Sequence, residues 1–189
     1  MNRHLLIARV IPLFAALLLI LTPHVARGAD DPNMLKNPGF ENGPMGSPDY
    51  HWSLNNWAKN EVEAALDETN PHSGKFCQRI TMKKIVDKPD VQFISRVLPL
   101  KPNMTVELRF WMRGNPSEKP VMVQFRKYPA PYTTYWKAMI SLTAEWKEYV
   151  FRMPLPATLD PEQTGLMFDL QDENTFWLDD VSVKQVPAE

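Results

Sequence analysis

Three short runs carry polar residues of unusual type on alternating positions. Arg109, Trp111 and Arg113 share one face of the first; Gln124, Arg126 and Tyr128 share one face of the second; Asp169 and Gln171 share one face of the third. A solvated sheet face needs only Lys, Glu and Thr to stay soluble. Interleaved arginines, amides, acids and rings suit a sugar instead. Rings stack on the apolar faces of pyranoses, while planar amides and guanidinium forks bind vicinal hydroxyls. Tyr128-Pro129-Ala130-Pro131-Tyr132, followed by Tyr135 and Trp136, adds an aromatic loop beside the second run. An ordinary solvated face with rings packed at its rim fits the same residues.

A second feature is the closing run Phe176-Trp177-Leu178-Asp179-Asp180-Val181-Ser182-Val183, aromatic and β-branched with two adjacent carboxylates. Acids in an apolar strand are costly unless a cation or hydrogen-bond donors meet them. Asn37-Pro38-Gly39-Phe40-Glu41 offers another acid after a glycine turn near the other end of the chain. The expectation is that the first and last strands lie side by side and share a cation between their acids. The alternative is that Asp179 and Asp180 cap the strand and pair with a nearby Lys or Arg. Neighbours in a strand point to opposite faces, so the two acids are not expected to act together on one glycosidic bond. HExxH, GxSxG, CxxC and phosphate-cradling glycine loops are absent, so the chain does not read as an enzyme.

The elements that must position these groups are strands. Val106-Leu108-Phe110-Met112, Val121-Val123-Phe125, Leu166-Phe168-Leu170 and Val62-Ala64-Leu66 all alternate with polar neighbours. Prolines and glycines break the runs at short intervals, among them Pro71, Gly74, Pro102, Gly114, Pro129 and Pro154. Roughly ten short strands and no helical window predict an all-β, antiparallel two-sheet sandwich or barrel in one domain, residues 29–189. Pro161-Glu162-Gln163 makes at most one helical turn. The predicted core is Val62, Leu66, Phe76, Ile80, Leu108, Phe110, Met112, Val123, Phe125, Leu166, Phe168 and Leu178. The lone cysteine, Cys77, excludes an intrachain disulfide and reads as a buried packer.

Residues 1–28 read as a secretory signal peptide, with basic Arg3 and Arg9, an apolar stretch from Val10 to Leu21, and Ala26-Arg27-Gly28 as the cleavage site. The apolar stretch is too short for a typical membrane span. A secreted or periplasmic location follows, with no membrane span after cleavage. The signal removes three of 21 basic residues and leaves 18 against 22 acids, a net charge near −4 that argues against nucleic acid as a partner.

Read in order, Asn37-Pro38-Gly39-Phe40-Glu41, His72-Ser73-Gly74-Lys75, Leu100-Lys101-Pro102, Leu108-Arg109-Phe110-Trp111-Met112-Arg113-Gly114, Glu145-Trp146-Lys147-Glu148-Tyr149 and Phe176-Trp177-Leu178-Asp179-Asp180-Val181 resemble successive signatures of the family 4/9-type carbohydrate-binding modules. The resemblance spans roughly residues 34–186. It implies a galactose-binding-like jelly-roll sandwich that binds a polysaccharide or oligosaccharide chain without catalysis on one concave sheet face. It also implies a structural Ca2+, for which Glu41 and Asp180 are the side-chain ligands, completed by backbone carbonyls around Gly39 and Lys75. The expected binding surface gathers Arg96, Trp111, Arg113, Gln124, Arg126, Asp169 and Gln171. Trp57, Tyr128, Tyr132, Tyr135 and Trp136 stand at its edge; Trp57 and Arg96 enter through the resemblance alone. Arg96 stands where such modules often carry glutamine, and Gln78 where an apolar residue is usual, so either Gln78 has a buried partner or the phase of its strand is reversed. The expected form is a monomer. A rival of another class is an exported protein-interaction or envelope-structural module with no glycan ligand.

Overall fold

Strands of period two bury one row of side chains and leave the other outside, and that rule orders the molecule. The computed structural model describes residues 32–96 and 98–188; the expected signal peptide lies outside the described residues. The described strands are β1 (Trp52–Asn56), β2 (Glu61–Asp67), β3 (Cys77–Lys84), β4 (Val91–Ser95), β5 (Thr105–Asn115), β6 (Pro120–Lys127), β7 (Thr134–Ser141), β8 (Lys147–Pro154), β9 (Thr164–Leu170) and β10 (Asn174–Gln185). They form two five-stranded sheets, a first in the order β1-β4-β9-β6-β7 and a second in the order β2-β3-β10-β5-β8. Every pairing is antiparallel. No helix occurs among the described residues, and so none is long and apolar enough to cross a membrane.

The core is where the two inner rows meet. Val106, Leu108, Phe110 and Met112 of β5 face Val121, Val123 and Phe125 of β6 and Leu166, Phe168 and Leu170 of β9 in one cluster. Phe110 meets Phe168 edge to face at 5.1 Å, and Trp52 stacks on Phe93 at 5.0 Å. Val62 and Leu66 are half-buried against this cluster. Phe76 corrects the expected core. It precedes β3 in a turn, is only partly buried, and carries the Lys75 ammonium 4.8 Å from its ring centre.

Gln78 points inward with Ile80 and Met82, and its buried partner is the Tyr50 hydroxyl. Its amide nitrogen also donates to the carbonyls of Ala65 (3.1 Å) and Arg79 (2.7 Å), so the polar group is satisfied inside the core. Burial raises the pKa of Tyr50 and keeps its hydroxyl a donor. Cys77 is fully buried, and burial, reinforced by Asp179 and Asp67, pushes its thiol up to about 12. That is a packing thiol, not a nucleophile.

The chain does close on itself. Met34 N–H donates to the Val183 carbonyl at 2.8 Å, and Val181 N–H to the Pro38 carbonyl at 3.0 Å. The Asn33 amide binds the Val181 carbonyl (2.9 Å) and accepts from Val183 N–H (3.0 Å). Residues 33–38 thus run beside β10 without forming a regular strand. Truncating Phe110 to Ala removes the ring that joins the two sheets and is expected to cost about 3–5 kcal/mol in denaturant unfolding. A loss well below about 1 kcal/mol would contradict this packing.

Candidate functional site

The outer face of the first sheet carries the residues that alternate with its core row. Direct cross-strand neighbours there are Asn55, Gln92, Asp169 and Met122 in one line, and Ile94, Met167 and Gln124 in the next. A cleft of about 570 Å³ opens on this face, lined by Asn55, Gln92 and Met167 on its floor and by Trp57, Arg96, Arg126, Tyr128 and Tyr132 around them. Trp57 is 69% exposed and Tyr132 52%, the two exposed aromatic rings of the described residues. Two exposed rings at the rim of one cleft make it a candidate ligand surface.

Local bonds hold these side chains. Arg126 donates through Nε to the Tyr132 carbonyl at 3.2 Å, and its guanidinium lies 5.0 Å from the Tyr132 ring centre. The Arg96 guanidinium lies 5.4 Å from the ring centre of Tyr128, whose hydroxyl donates to the Glu162 carbonyl at 3.0 Å. Tyr132 sits at φ 60°, a left-handed backbone sparsely used by non-glycine residues, closed by its N–H bond to the Pro129 carbonyl at 3.0 Å. Behind the cleft, buried Gln124 donates to buried Asp169 and accepts from the Thr134 hydroxyl at 3.0 Å. Asp169 Oδ1 is buried with no partner.

Not all the predicted residues gather here. Trp57, Arg96, Arg126, Tyr128 and Tyr132 line the cleft, and Gln124 and Asp169 lie buried on the same face. Gln171, just past β9, is half-buried and donates to the Asp169 carbonyl at 3.4 Å. Trp111 and Arg113 belong to β5 in the second sheet, so they emerge on the opposite side of the sandwich. There Trp111 stacks on His72 at 3.8 Å, and Arg113 lies 3.9 Å from the Trp177 ring centre and 5.2 Å from that of Trp146. Tyr135 and Trp136 turn into the sandwich edge. Trp136 packs on Phe125 (6.1 Å) and Phe151 (5.1 Å), and the Tyr135 hydroxyl accepts from Asp160 N–H at 3.1 Å. The single expected surface is therefore two faces, back to back. Asn55, Lys88, Asp90, Gln92 and Met167 are cleft residues the sequence reading did not select. For Gln92 and Met167 the signal existed, since each alternates with buried neighbours.

The acids of the closing strand behave differently from their expected alternation. The register of β10 against β5 shifts between Asp179 and Ser182, and Asp180 adopts φ 49°. This bulge brings both carboxylates to one turn. Asp179 accepts from the N–H groups of His72 (2.9 Å) and Ser73 (3.2 Å), while Asp180 meets His72 Nδ1 at 2.6 Å and accepts from the Ser73 hydroxyl at 2.8 Å. Glu41 accepts from the N–H groups of Lys75 (2.8 Å) and Phe76 (3.1 Å) in the same turn. Gly74, at φ +61°, is required there because a Cβ would fall 2.2 Å from Glu41 Oε1. The donor chemistry suits a hard cation: carboxylates from two ends of the chain, with Asp179 fully buried and in no ion pair among the described residues. A preformed cage is lacking, since among the described residues no three His, Cys, Asp or Glu side chains are arranged to hold a metal.

Burial pushes Asp169 and Asp179 each up to about 6; hydrogen bonds from Gln124 to the former and from the Ser73 backbone to the latter pull the other way. In the unfolded chain both titrate near 3.8. The folded protein therefore holds these protons more tightly, a contribution fully present below about pH 4 and lost as pH rises through 6. It is worth on the order of 3 kcal/mol per group. Asp67, held down to about 2 by hydrogen bonds from Thr69 and Trp177 against its desolvation, acts only at lower pH. The melting temperature is expected to rise from pH 7.5 to pH 5, and Asp179→Asn and Asp169→Asn each to flatten that rise. Unchanged slopes in both variants would contradict the assignment.

Comparison with known proteins agrees with this architecture. A family model described as a carbohydrate binding domain, family 4/9, matches residues 32–175. No curated protein sequence is a significant match. Among solved structures, a CBM4 module superposes with TM-score 0.64 at 20% identity, covering 79% of this chain and 98% of its own. The CBM22-1 xylan-binding domain of Paenibacillus barcinonensis Xyn10C gives 0.57 at 14%, covering 85% and 98%. The N-terminal cellulose-binding domain of Cellulomonas fimi β-1,4-glucanase C gives 0.54 at 18%, covering 76% and 93%. At such identities the likeness is one of fold. Domains of this family bind sugars and are generally non-catalytic. With ten strands in the same sandwich and the family match running through most of the chain, this protein belongs to the family 4/9 carbohydrate binding domains.

Proposed function

We propose that this is an exported, non-catalytic, monomeric carbohydrate-binding module that holds a polysaccharide or oligosaccharide chain in the cleft of the first sheet. One observation carries the reading: the two exposed aromatic rings, Trp57 and Tyr132, stand over a floor of amides beside two arginines. Rings there stack on pyranose faces, while Asn55, Gln92, Arg96 and Arg126 supply hydrogen bonds to hydroxyls. The structural neighbours named for xylan and cellulose binding support a β-glycan. Secretion or a periplasmic location rests on residues 1–28 and places the module where such polymers occur.

A protein-binding face would be a dry aromatic patch with few convergent donors. This cleft is instead open and rich in donors, which favours the sugar. Each stacked ring is expected to contribute about 1–2 kcal/mol, so Trp57→Ala should weaken binding roughly 5–30-fold. Affinity electrophoresis through soluble β-glucan, xylan and mannan measures this, with Trp111→Ala expected to migrate as the parent does. Equal retardation of Trp57→Ala and parent, with loss in Trp111→Ala, would move the site to the second sheet. Failure to bind any polymer would favour the protein-interaction role.

A structural Ca2+ belongs to the same proposal, with Glu41 and Asp180 holding it and backbone oxygens near Gly39 and Lys75 completing its shell. It would tie the start of the described chain to β10 and leave the cleft alone. Chelator is then expected to lower the melting temperature and Glu41→Gln to abolish that response; a chelator-insensitive melting curve would count against the ion.

A further inference from the structure

Arginine pairing divides the molecule. Of the six arginines among the described residues, Arg79, Arg109 and Arg152 form ion pairs with Glu63, Glu107 and Glu148 on the second sheet. Arg113 lies between the rings of Trp146 and Trp177. Arg96 and Arg126 form no ion pair among the described residues, and both line the cleft. The cleft's remaining charges, Lys88 and Asp90, face each other at 3.4 Å. The lining therefore holds two arginines in excess, in a chain whose formal net charge is −1.

Their positions are matched. Arg126 is the cross-strand partner of Gly165, and Arg96 follows Ser95, the partner of Leu166. The two arginines thus flank Gly165 from either side, with backbones about 10 Å apart at two strand spacings. Gly165 carries no side chain to stand between them. The guanidinium carbons of Arg96 and Arg126 lie 5.4 and 5.0 Å from the ring centres of Tyr128 and Tyr132, and Arg126 is pinned through Nε. A guanidinium near a ring and in no ion pair keeps N–H groups available, and its planar fork can grip a carboxylate with two parallel bonds.

We propose that the cleft is built for an acidic glycan, a chain bearing uronate carboxylates, with Arg96 and Arg126 as its anion clamps. The proposal rests on the cleft reading above and adds the charge of the ligand. Neutral hydroxyls can be met by the floor amides as well as by guanidinium N–H groups; two arginines without an ion pair add charge-assisted bonds where the polymer brings negative charge.

The test compares one polymer in two forms, polygalacturonate and its fully methyl-esterified counterpart, alongside neutral xylan and β-glucan. The de-esterified form is expected to bind about tenfold more tightly at low salt, because charge-assisted bonds outweigh neutral ones, and to lose that advantage at high salt. The R96Q/R126Q double variant, with its melting temperature checked, should lose the preference for the acidic form, its affinity for the acidic chain falling further than its affinity for neutral chains. Equal affinity for both forms would overturn the acidic ligand while leaving the cleft as a glycan site. A preference that survives in R96Q/R126Q would overturn the clamps. Binding to no polymer at all would remove the cleft reading and this proposal with it.

Discussion

The edge-to-face contact of Phe110 with Phe168 is the constraint on which the rest depends. One ring belongs to the second sheet and the other to the first, so their meeting sets the two sheets face to face. Once they point inward, parity leaves no freedom. Trp111 and Arg113 must leave through the back of the second sheet, and Met167 and Asp169 through the back of the first. The molecule then has two polar faces with separate fates. On the second sheet, the rings cover one another and Arg113 in the stack of Trp177, Arg113, Trp146, His72 and Trp111. On the first, Trp57 and Tyr132 are left standing in water.

The closing strand shows how such a scaffold tolerates buried charge. Alternation alone would have put Asp179 in the layer of one face and Asp180 in the other. The bulge rotates both toward the turn at His72, Ser73 and Gly74, where backbone N–H groups serve them. Burial, reinforced by neighbouring Asp180, pushes Asp179 up even though these hydrogen bonds pull the other way. A bound cation or a proton would relieve the same deficit.

The fold was readable because period-two alternation survives in nearly every strand, and inward and outward rows followed from it. Sheet membership was not. β5 and β6 are consecutive in the chain, yet the chain crosses between sheets after Asn115, and no local pattern marks that crossing. Hence the residues of β5 were grouped with those of β6 and β9. Trp136 pairs directly with inward-facing Phe125, and so faces Phe151 of the other sheet; that partner is not legible from the chain alone. Phe76 was misread because Glu41 captures its N–H and holds it in a turn. Lys88 and Asp90 reach the cleft from a loop, where periodicity carries no information. For Gln78 the sequence left two options, a buried partner or a reversed strand phase; the first holds, with Tyr50 as the partner.

The central claim is that ligand meets the first sheet and not the second, and the tryptophans report on it directly. Of the six, Trp57 alone lines the cleft, while Trp111, Trp146 and Trp177 lie in the stack on the opposite face. Titrating a bound oligosaccharide into isotope-labelled protein and following the indole N–H resonances separates the two faces in one experiment. The account predicts that the Trp57 resonance moves on titration while those of Trp111, Trp146 and Trp177 stay in place. Movement of the latter three with a stationary Trp57 would contradict it.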